Sequence, residues 1–454
     1  MGRVENIKLL DNWKLFTLQE MLDAEIILSH LDGNHGELYP NKDEFVESGV
    51  PYLSANCIVD NEVDFTMTKF LTQKRANSFK KGVAINDDVL FAHNATVGPV
   101  AILKTDLDFV VLSTTLTYYR CNKNILLPNY LRLYMISDFF VNQYTEVMRQ
   151  ATRNQVPITK QRTFFHLVPP LPEQQRIVAI LDEAFAAIAK AKANAEQNLK
   201  NAKELFESYL QGVFERKSLN HDSSDLYDYD ENQGNHLNQK NQSSDKGEGW
   251  KEKTLGEVLV KTETVDPTKK PNEEFIYLDV SSVNKETKEI ENATVLLGKD
   301  APSRARKLIR TNDVIFATVR PTHSRVALIT EEYDEQVCST GYFVLRTKEF
   351  LSNNLVFYFL LTYSFNKQME KLQKGASYPA VTDSEVKGIY IPFPKSLKEQ
   401  QTIVQKLDAL SAETKKLEAI YQKKITDLEE LKKSVLQKAF SGELKVSEPL
   451  INAD

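Results

Sequence analysis

Few residues in this 454-residue chain are spaced for covalent chemistry. Its seven histidines form no HExxH or other metal-ligand spacing. No GxxxxGK[ST] loop is present to cradle a nucleotide, and no GxSxG turn to present a nucleophile. The Pro-Pro pair stands in Val168-Pro169-Pro170-Leu171, not in the Asn/Asp-Pro-Pro-aromatic setting that an adenine amino-methyltransferase needs. What the chain does carry is the side-chain chemistry of polyanion binding. Lys69, Lys74, Arg75, Lys80 and Lys81 place +5 within thirteen residues, with no acid among them. Lys299, Arg304, Arg306, Lys307, Arg310, Arg320 and Arg325, set against Asp300 and Asp313, again sum to +5. Phosphate contacts from such residues supply most of the affinity of a nucleic-acid binder. Two polar loops add the means to read bases. One is Arg149 to Gln155, with Arg153 and Asn154; the other is Lys371 to Tyr378, with Lys374 and Ser377. Arg, Asn and Gln can form paired hydrogen bonds with guanine or adenine edges in the major groove. Any one of these segments could equally be a solvated surface. Their recurrence favours the functional reading.

The chain is written twice. Trp13-Lys14-x-x-Thr17-Leu18-x-Glu20 returns as Trp250-Lys251-x-x-Thr254-Leu255-x-Glu257, 237 residues later. Asp88-Val89-Leu90-Phe91-Ala92 returns as Asp313-Val314-Ile315-Phe316-Ala317 at an offset of 225, and Ser113-Thr114 and Arg120 return as Ser339-Thr340 and Arg346 at 226. The same 226 carries Glu173-Gln174-Gln175, Leu181-Asp182, Leu210-Gln211 and Phe214 onto Glu399-Gln400-Gln401, Leu407-Asp408, Leu436-Gln437 and Phe440. The basic runs flank the repeated Asp-Val-hydrophobic-Phe-Ala strand in both copies. Two copies of one module in one polypeptide can make a pseudo-two-fold object, suited to duplex DNA with its own two-fold symmetry. Where the copies differ, as Asn94-Ala95-Thr96-Val97-Gly98 does from Val319-Arg320-Pro321-Thr322-His323, the targets of the two copies should differ too.

The net charge of −6 seems to oppose this until it is mapped. The segment from Ser218 to Gly249 holds seven acids and two lysines, so it accounts for −5. Rich in Asn, Asp, Ser, Gln and Gly, that segment cannot bury enough apolar surface to order itself and reads as a linker. The 41% hydrophobic and 26% charged content is that of a globular protein. Three scattered cysteines without CxxC fit a reducing compartment. Met1 to Asp11 carries no signal-peptide core, and no apolar run reaches membrane-span length, so a cytoplasmic protein without membrane contact is expected.

Each copy divides into a mixed α/β part and one long helix. Short β-rich runs at 83–91, 116–120, 313–319 and 342–345 are broken by Gly, Pro and Asn, and helical stretches follow at 129–148 and 353–372. The long helices run from Glu173 to about Phe214 and from Lys398 to about Phe440. Pro172 stands at the start of the first, and Gly442 just past the end of the second. Both carry a 3-4 apolar repeat, alanine-rich in the first and leucine-rich in the second, as partners in one coil would. An antiparallel register in which facing residue numbers total 612 would set Ala184 against Leu428 and Ala202 against Leu410, large against small. Leu199, Phe206, Ile425 and Leu436 fall outside or beside that seam, where apolar residues call for a partner protein.

A variable β-rich part, then Pro169-Pro-Leu-Pro-Glu-Gln-Gln-Arg-Ile-Val178, then a long helix ending in Leu210-Gln-Gly-Val-Phe214, then the whole arrangement again, resembles the specificity (S) subunit of type I restriction-modification systems. The second copy departs slightly, with Phe393-Pro-Lys-Ser-Leu-Lys-Glu-Gln-Gln401. The resemblance implies an α+β fold. Residues 1–171 and 250–396 would be target-recognition domains, each reading one half of a bipartite DNA site. Residues 172–216 and 397–441 would be conserved long helices forming an antiparallel coiled coil with pseudo-two-fold symmetry. Residues 217–249 would link the copies, and 442–454 would form a tail. It further implies double-stranded DNA, two methyltransferase (M) subunits and restriction (R) subunits as partners. No cofactor would be bound by this chain, S-adenosylmethionine, ATP and Mg2+ residing on those partners, and the chain itself would be non-catalytic. A fused restriction or modification enzyme and a coiled-coil scaffold without a DNA role stand as the alternatives.

A helix of about 42 residues rises roughly 60 Å at 1.5 Å per residue, enough to separate two domains by one DNA turn of roughly 34–36 Å. Four residues inserted into the coil should therefore add roughly 6 Å. At about 3.4 Å per base pair, the unread gap between half-sites should grow by about one or two base pairs. Methylome sequencing of the variant reads that gap directly; an active complex with an unchanged gap would show that the helices do not measure it.

Overall fold

The Trp-Lys-x-x-Thr-Leu-x-Glu repeat is a strand end joined to a helix start. In the computed structural model, which describes residues 12–34, 39–150, 153–215 and 249–444, Lys14–Thr17 pairs antiparallel with Phe165–Val168, and Trp250–Thr254 with Tyr390–Pro394. Thr17 and Thr254 then cap the helices that follow, each hydroxyl accepting from the amide of the glutamate three residues on. Glu20 and Glu257 return the bond to the threonine amide and hydroxyl, which holds both carboxyls below their usual range. Each copy's first strand is thereby fastened to the strand that leads into its long helix.

In the first unit, residues 1–196 and 423–454, two larger sheets form beside the strand pair above and the short pair Ile58–Val59 with Glu62–Val63. A four-stranded antiparallel sheet runs in the order Val100–Ile102, Val89–Ala92, Leu116–Cys121, Ile27–Asp32. A five-stranded sheet runs Phe45–Val46, Lys69–Leu71, Val50–Leu53, Val110–Leu112, Val83–Ala84, with one parallel pair at Val50–Leu53 and Val110–Leu112. Val89–Ala92 and Val110–Leu112 are buried along their whole length, so they read as unbroken apolar runs rather than alternating ones. The run at 83–91 is two strands, parted by a turn in which Asp87 takes a left-handed φ of 70°.

The second unit, residues 197–422, has the same plan with fewer strands. One sheet runs Thr294–Leu297, Glu274–Leu278, Val337–Ser339, Ala305–Leu308, and the other Val326–Leu328, Val314–Ala317, Tyr342–Leu345. The edge strand Ile27–Asp32 of the first unit is replaced here by a single bridge between Leu259 and Thr347. In both units the helical stretch after the sheet breaks in two, into Pro128–Met135 and Asp138–Arg149, and into Asn353–Leu360 and Tyr363–Leu372. Ser137 and Thr362, both buried, sit at the breaks as the N-caps of the second helices, and their hydroxyls donate to the carbonyls of Tyr134 and Phe359. Hydroxyl residues that bond local backbone end a helix even within a periodic apolar run.

Long helices occupy Leu171–Glu215 and Leu397–Ser441, and Gly442 leaves the second with φ 78°. Within the first unit their segments run antiparallel: Lys192 Nζ lies 2.7 Å from Glu429 Oε1, and Lys432 sits over the Phe185 ring. Within the second, Lys203 lies 3.8 Å from Glu418. Both ion pairs total 621 in residue number and the ring contact 617, so the register stands about one heptad from the expected 612. Ala184 is buried in a cluster with Leu431, Val435 and Leu436. The expectation that Leu436 and Phe206 await a partner is also corrected. Leu436, Ala439 and Phe440 are buried in the first unit's core, where Phe440 meets the rings of Tyr130 and Tyr134. Leu210, Val213 and Phe214 fill the second unit's core against Phe359, with Phe206 packed alongside. The repeated Leu-Gln-x-x-Phe ending is thus a plug that closes the core of the domain belonging to the other copy. The expected linker, 217–249, and the tail beyond 444 lie outside the described residues apart from Gly249. Among the described residues no helix is long and apolar enough to cross a membrane.

Gln174 and Gln400, the middle residues of the repeated Glu-Gln-Gln, are fully buried. Gln174 accepts from the Leu127 amide at 2.8 Å and donates to the carbonyls of Ile125 and Pro169, both at 2.8 Å. Gln400 does the same with Ser352, Phe350 and Pro394. Gln175, by contrast, is exposed. Replacing Gln174 with Leu strands one amide and two carbonyls, each costing about 1–3 kcal/mol when left unpaired. The expected outcome is a loss of at least about 3 kcal/mol, read as a fall of roughly 6 °C or more in the melting midpoint. Gln175→Leu should stay within about 0.5 kcal/mol of the native chain.

Candidate nucleic-acid interface

The strand Val89–Ala92 ends in the loop His93–Gly98, and the structure lays the segment 153–156, the described end of the polar 149–155 loop, against it; residues 151 and 152 lie outside the described residues. The Val156 amide donates to the His93 carbonyl at 2.8 Å, the Ala95 amide to the Asn154 carbonyl at 3.0 Å, and Asn154 Nδ2 to the Ala95 carbonyl at 2.6 Å. The second unit repeats the arrangement after Val314–Ala317. There the Val381 amide donates to the Thr318 carbonyl at 2.9 Å, and the Arg320 amide to the Pro379 carbonyl at 2.7 Å. Segments that stand far apart in sequence, 94–98 with 153–156 and 319–323 with 378–381, become one surface in each unit.

Behind the first unit's loop pair lies a buried polar core. Gln161 is fully buried, and its Oε1 accepts from Tyr119 at 2.9 Å and Thr117 at 3.1 Å, with His30 Nε2 also at 3.1 Å. Its Nε2 donates to the Val156 carbonyl at 3.0 Å, which His93 Nδ1 also approaches at 3.0 Å. The base of the loop is thus held by the amide of one glutamine.

The predicted contact residues separate into two groups. The structure gives several of them partners. Arg75 Nε lies 2.7 Å from Glu44, and its guanidinium covers Phe79. Lys307, largely buried, bonds Asp383 at 2.8 Å and the Tyr342 carbonyl at 2.6 Å. Arg306 pairs with Asp266, Arg310 with Glu263, and Lys374 with Glu385 at 2.8 Å. Arg325 donates to the Val283 carbonyl, Lys69 lies over Phe45, and Asn154 spends its amide on the loop staple. Cations sharing a fold with carboxylates are drawn to them, and spacing alone does not reveal which. Lys74, Lys80, Lys81, Arg149, Arg153 and Arg304 are exposed with no ion-pair partner among the described residues; Gln155 is half-exposed, and Ser377 and Tyr378 are exposed. Arg320 lies over the Tyr378 ring at 5.4 Å. Beside it His323 is held below the usual imidazole range by partial burial and by the charges of Arg320, Lys285 and Arg325. Lys285 was not singled out from the sequence, and His323 only within the segment where the copies differ, because 285 and 323 come near each other only through the fold.

The repeated Asp and Arg of the sequence are a structural pair, not contacts. Arg120 Nε and Nη2 donate to the two carboxylate oxygens of Asp88 at 3.0 and 2.8 Å, and Arg346 grips Asp313 likewise at 2.8 Å twice. Asp88 also accepts the Ile85 amide, and Asp313 the Arg310 amide. Hydrogen bonding to Asp88 raises Arg120, while burial pushes Asp88 up against the pull of Arg120. Two strands separated by about thirty residues of chain are locked in register by each pair. The signal for this was present: opposite charges recurring at offsets of 225 and 226 beside strands too apolar to carry solvated ones.

The described residues hold no group of three or more His, Cys, Asp or Glu able to bind a metal. Each copy of the duplicated α+β domain thus presents a stapled loop pair. The model of the type I restriction modification DNA specificity domain matches residues 11–200 and again 247–427. The chain therefore belongs to the family of type I restriction-modification specificity subunits, and its two copies are the two DNA specificity domains. It is 26% identical to a protein of Methanocaldococcus jannaschii provisionally named the type I restriction enzyme MjaX specificity subunit, with 96% of this chain and 94% of that one covered. It is 22% identical to the MjaVIII specificity subunit of the same organism, over 89% and 88%. The fold matches a chain from a structure of type I R-M complex assembly and conformational transition, with TM-score 0.72, 21% identity and coverage of 96% and 100%. It also matches the HsdS subunit of Thermoanaerobacter tengcongensis, with TM-score 0.60, 20% identity and coverage of 97% and 99%.

The buried imidazoles make the first unit acid-sensitive. Burial pushes His30 down to about 3, against the hydrogen bond to Gln161 and with help from Arg162, His166 and His93; burial likewise lowers His166 to about 4. An unfolded chain takes up these protons near 6.5, so below that pH the unfolded state binds more protons and stability falls as pH falls. The loss should be roughly 1.4 kcal/mol per pH unit for each histidine, down to the folded values. Melting midpoints measured from pH 7 to 4 should decline, and His166→Phe should flatten that slope by roughly half; a native midpoint unchanged over this range would count against the assignment.

Proposed function

We propose that this chain is the non-catalytic specificity subunit of a type I restriction-modification complex, each recognition domain reading one half of a bipartite duplex DNA target. Catalysis then belongs to the partners: two methyltransferase subunits carrying S-adenosylmethionine, and restriction subunits carrying ATP and Mg2+, in the cytoplasm. The observation that carries this reading is the stapled loop pair found in both units. Each pair brings hydrogen-bonding and cationic side chains to one exposed edge on a fixed backbone, and fixed donors are what base reading requires. The loops differ between units, in agreement with two unlike half-sites. The long helices, whose ends complete the domain cores, are the elements that would dock the methyltransferase subunits.

The experiment is to express the chain with its cognate methyltransferase and map methylated adenines. With Arg149 and Arg153 both changed to alanine, the first half-site should relax or weaken while the bases of the second stay unchanged. Changes spread over both halves, or over neither, would count against separate readers. The purified chain incubated alone with S-adenosylmethionine and mixed DNA should transfer no methyl group; transfer without a partner would favour a fused modification enzyme.

A further inference from the structure

On each loop after the repeated strand a residue with a side chain holds a left-handed backbone at the same place. In the first unit it is Ala95, φ 64°; in the second it is Arg320, φ 50°, and Ser324, φ 48°, closes the turn that Arg320 opens. The two positions correspond at the 225 offset of the preceding strands, and each donates its amide to the facing loop, to Asn154 and Pro379 respectively. This conformation is disfavoured for any residue bearing a Cβ, and glycine would adopt it freely. Retaining arginine there fits a demand for its side chain rather than its backbone.

The surroundings of Arg320 make that side chain a prepared one. The turn it opens is fixed at its far end: Asn366 Nδ2 donates to the Thr322 carbonyl at 3.1 Å and to Ser324 Oγ at 2.7 Å, and Lys288 Nζ to the Ser324 carbonyl at 2.8 Å. The guanidinium lies 5.4 Å from the centre of the Tyr378 ring, and that ring is 73% exposed. No carboxylate lies within salt-bridge reach of Arg320 among the described residues, whereas Lys307, Arg310 and Lys374 close by in sequence or space are all neutralised. A guanidinium stacked on a ring keeps its planar fork of N–H donors free and loses little freedom on binding. Its match among the bases is guanine, whose O6 and N7 accept a paired bond in the major groove. Ala95 offers only a methyl group at the same place.

We propose that Arg320, placed over the Tyr378 ring, reads one guanine of the second half-site, and that the first half-site has no counterpart of this contact. The inference rests on the reading of the second unit as a DNA-recognition domain. Its test uses the complex with the methyltransferase, and compares initial methylation rates on duplexes carrying each base at every position of the target. Arg320→Gly suits the left-handed backbone, so its melting midpoint should be no lower than the native one. Its preference for guanine should fall roughly tenfold or more at one position of the second half-site, with all other positions unchanged. Arg320→Lys should keep part of that preference, and Tyr378→Leu should lose part of it. A target unchanged in Arg320→Gly, or a rate lowered uniformly for all sequences with a shallower salt dependence, overturns the guanine assignment and leaves domain-level recognition standing. If replacing both loops, 319–324 and 373–379, changes no base of the target, recognition by this unit fails, and the guanine assignment with it.

Discussion

One buried glutamine at the foot of each long helix joins the two kinds of structure in this protein. Gln174 and Gln400 each satisfy an amide and two carbonyls from the sheet-to-helix connection and from the strand just before the helix. A carboxylate could not donate to those carbonyls, and an apolar residue would leave three buried groups unpaired. The first turn of each long helix is therefore fixed to the domain it leaves. The opposite helix end completes the arrangement, since Phe214 and Phe440 are buried in cores that their own copies do not build. Neither copy can close its core without the other's last turn.

The charged residues that hold the fold are distinct from those on the proposed recognition surface. The Asp88–Arg120 and Asp313–Arg346 pairs, with buried carboxylates and half-buried arginines, are doubly bonded and present in both copies, so they hold what the copies share. A buried pair of this kind contributes registry more than net energy, while loss of one partner leaves an uncompensated charge. The exposed residues of the stapled loops are where the copies diverge: Ala95 against Arg320, and Asn154 against the 377–379 segment. The first unit supports its loop with a neutral network of Gln161, Tyr119, Thr117 and His30, whereas the second fixes its turn through Asn366 and Lys288. Two solutions to one mechanical demand leave each loop free to vary in what it reads.

Much of this architecture could be read before the fold was known. The duplication, the mixed domains, the long helices to within two residues and the stop at Gly442 follow from period, capping chemistry and repetition, all of which are local in sequence. The breaks at Ser137 and Thr362 were hidden because a hydroxyl that bonds the preceding turn overrides an apolar period. The one-heptad difference in register was hidden because a seam repeating every seven residues fits several alignments equally well. The cores at the helix ends, where Phe440 meets Tyr130 and Phe214 meets Phe359 far along the chain, chose among them.

The basic runs mark the sharper limit. Lys69 to Lys81 and Lys299 to Arg325 look alike as charge, yet Arg75, Arg306, Lys307 and Arg310 are bound to Glu44, Asp266, Asp383 and Glu263, while Lys74, Lys80, Lys81 and Arg304 have no such partner among the described residues. By itself the sequence determined which residue types were available and which segments would be strand, helix or loop, since those depend on neighbours a few positions away. Only the tertiary structure decided which cations were neutralised, which loops met and which arginine stood on an exposed ring, because Coulomb attraction and hydrogen bonding act over a few ångströms of space, whatever the number of residues between.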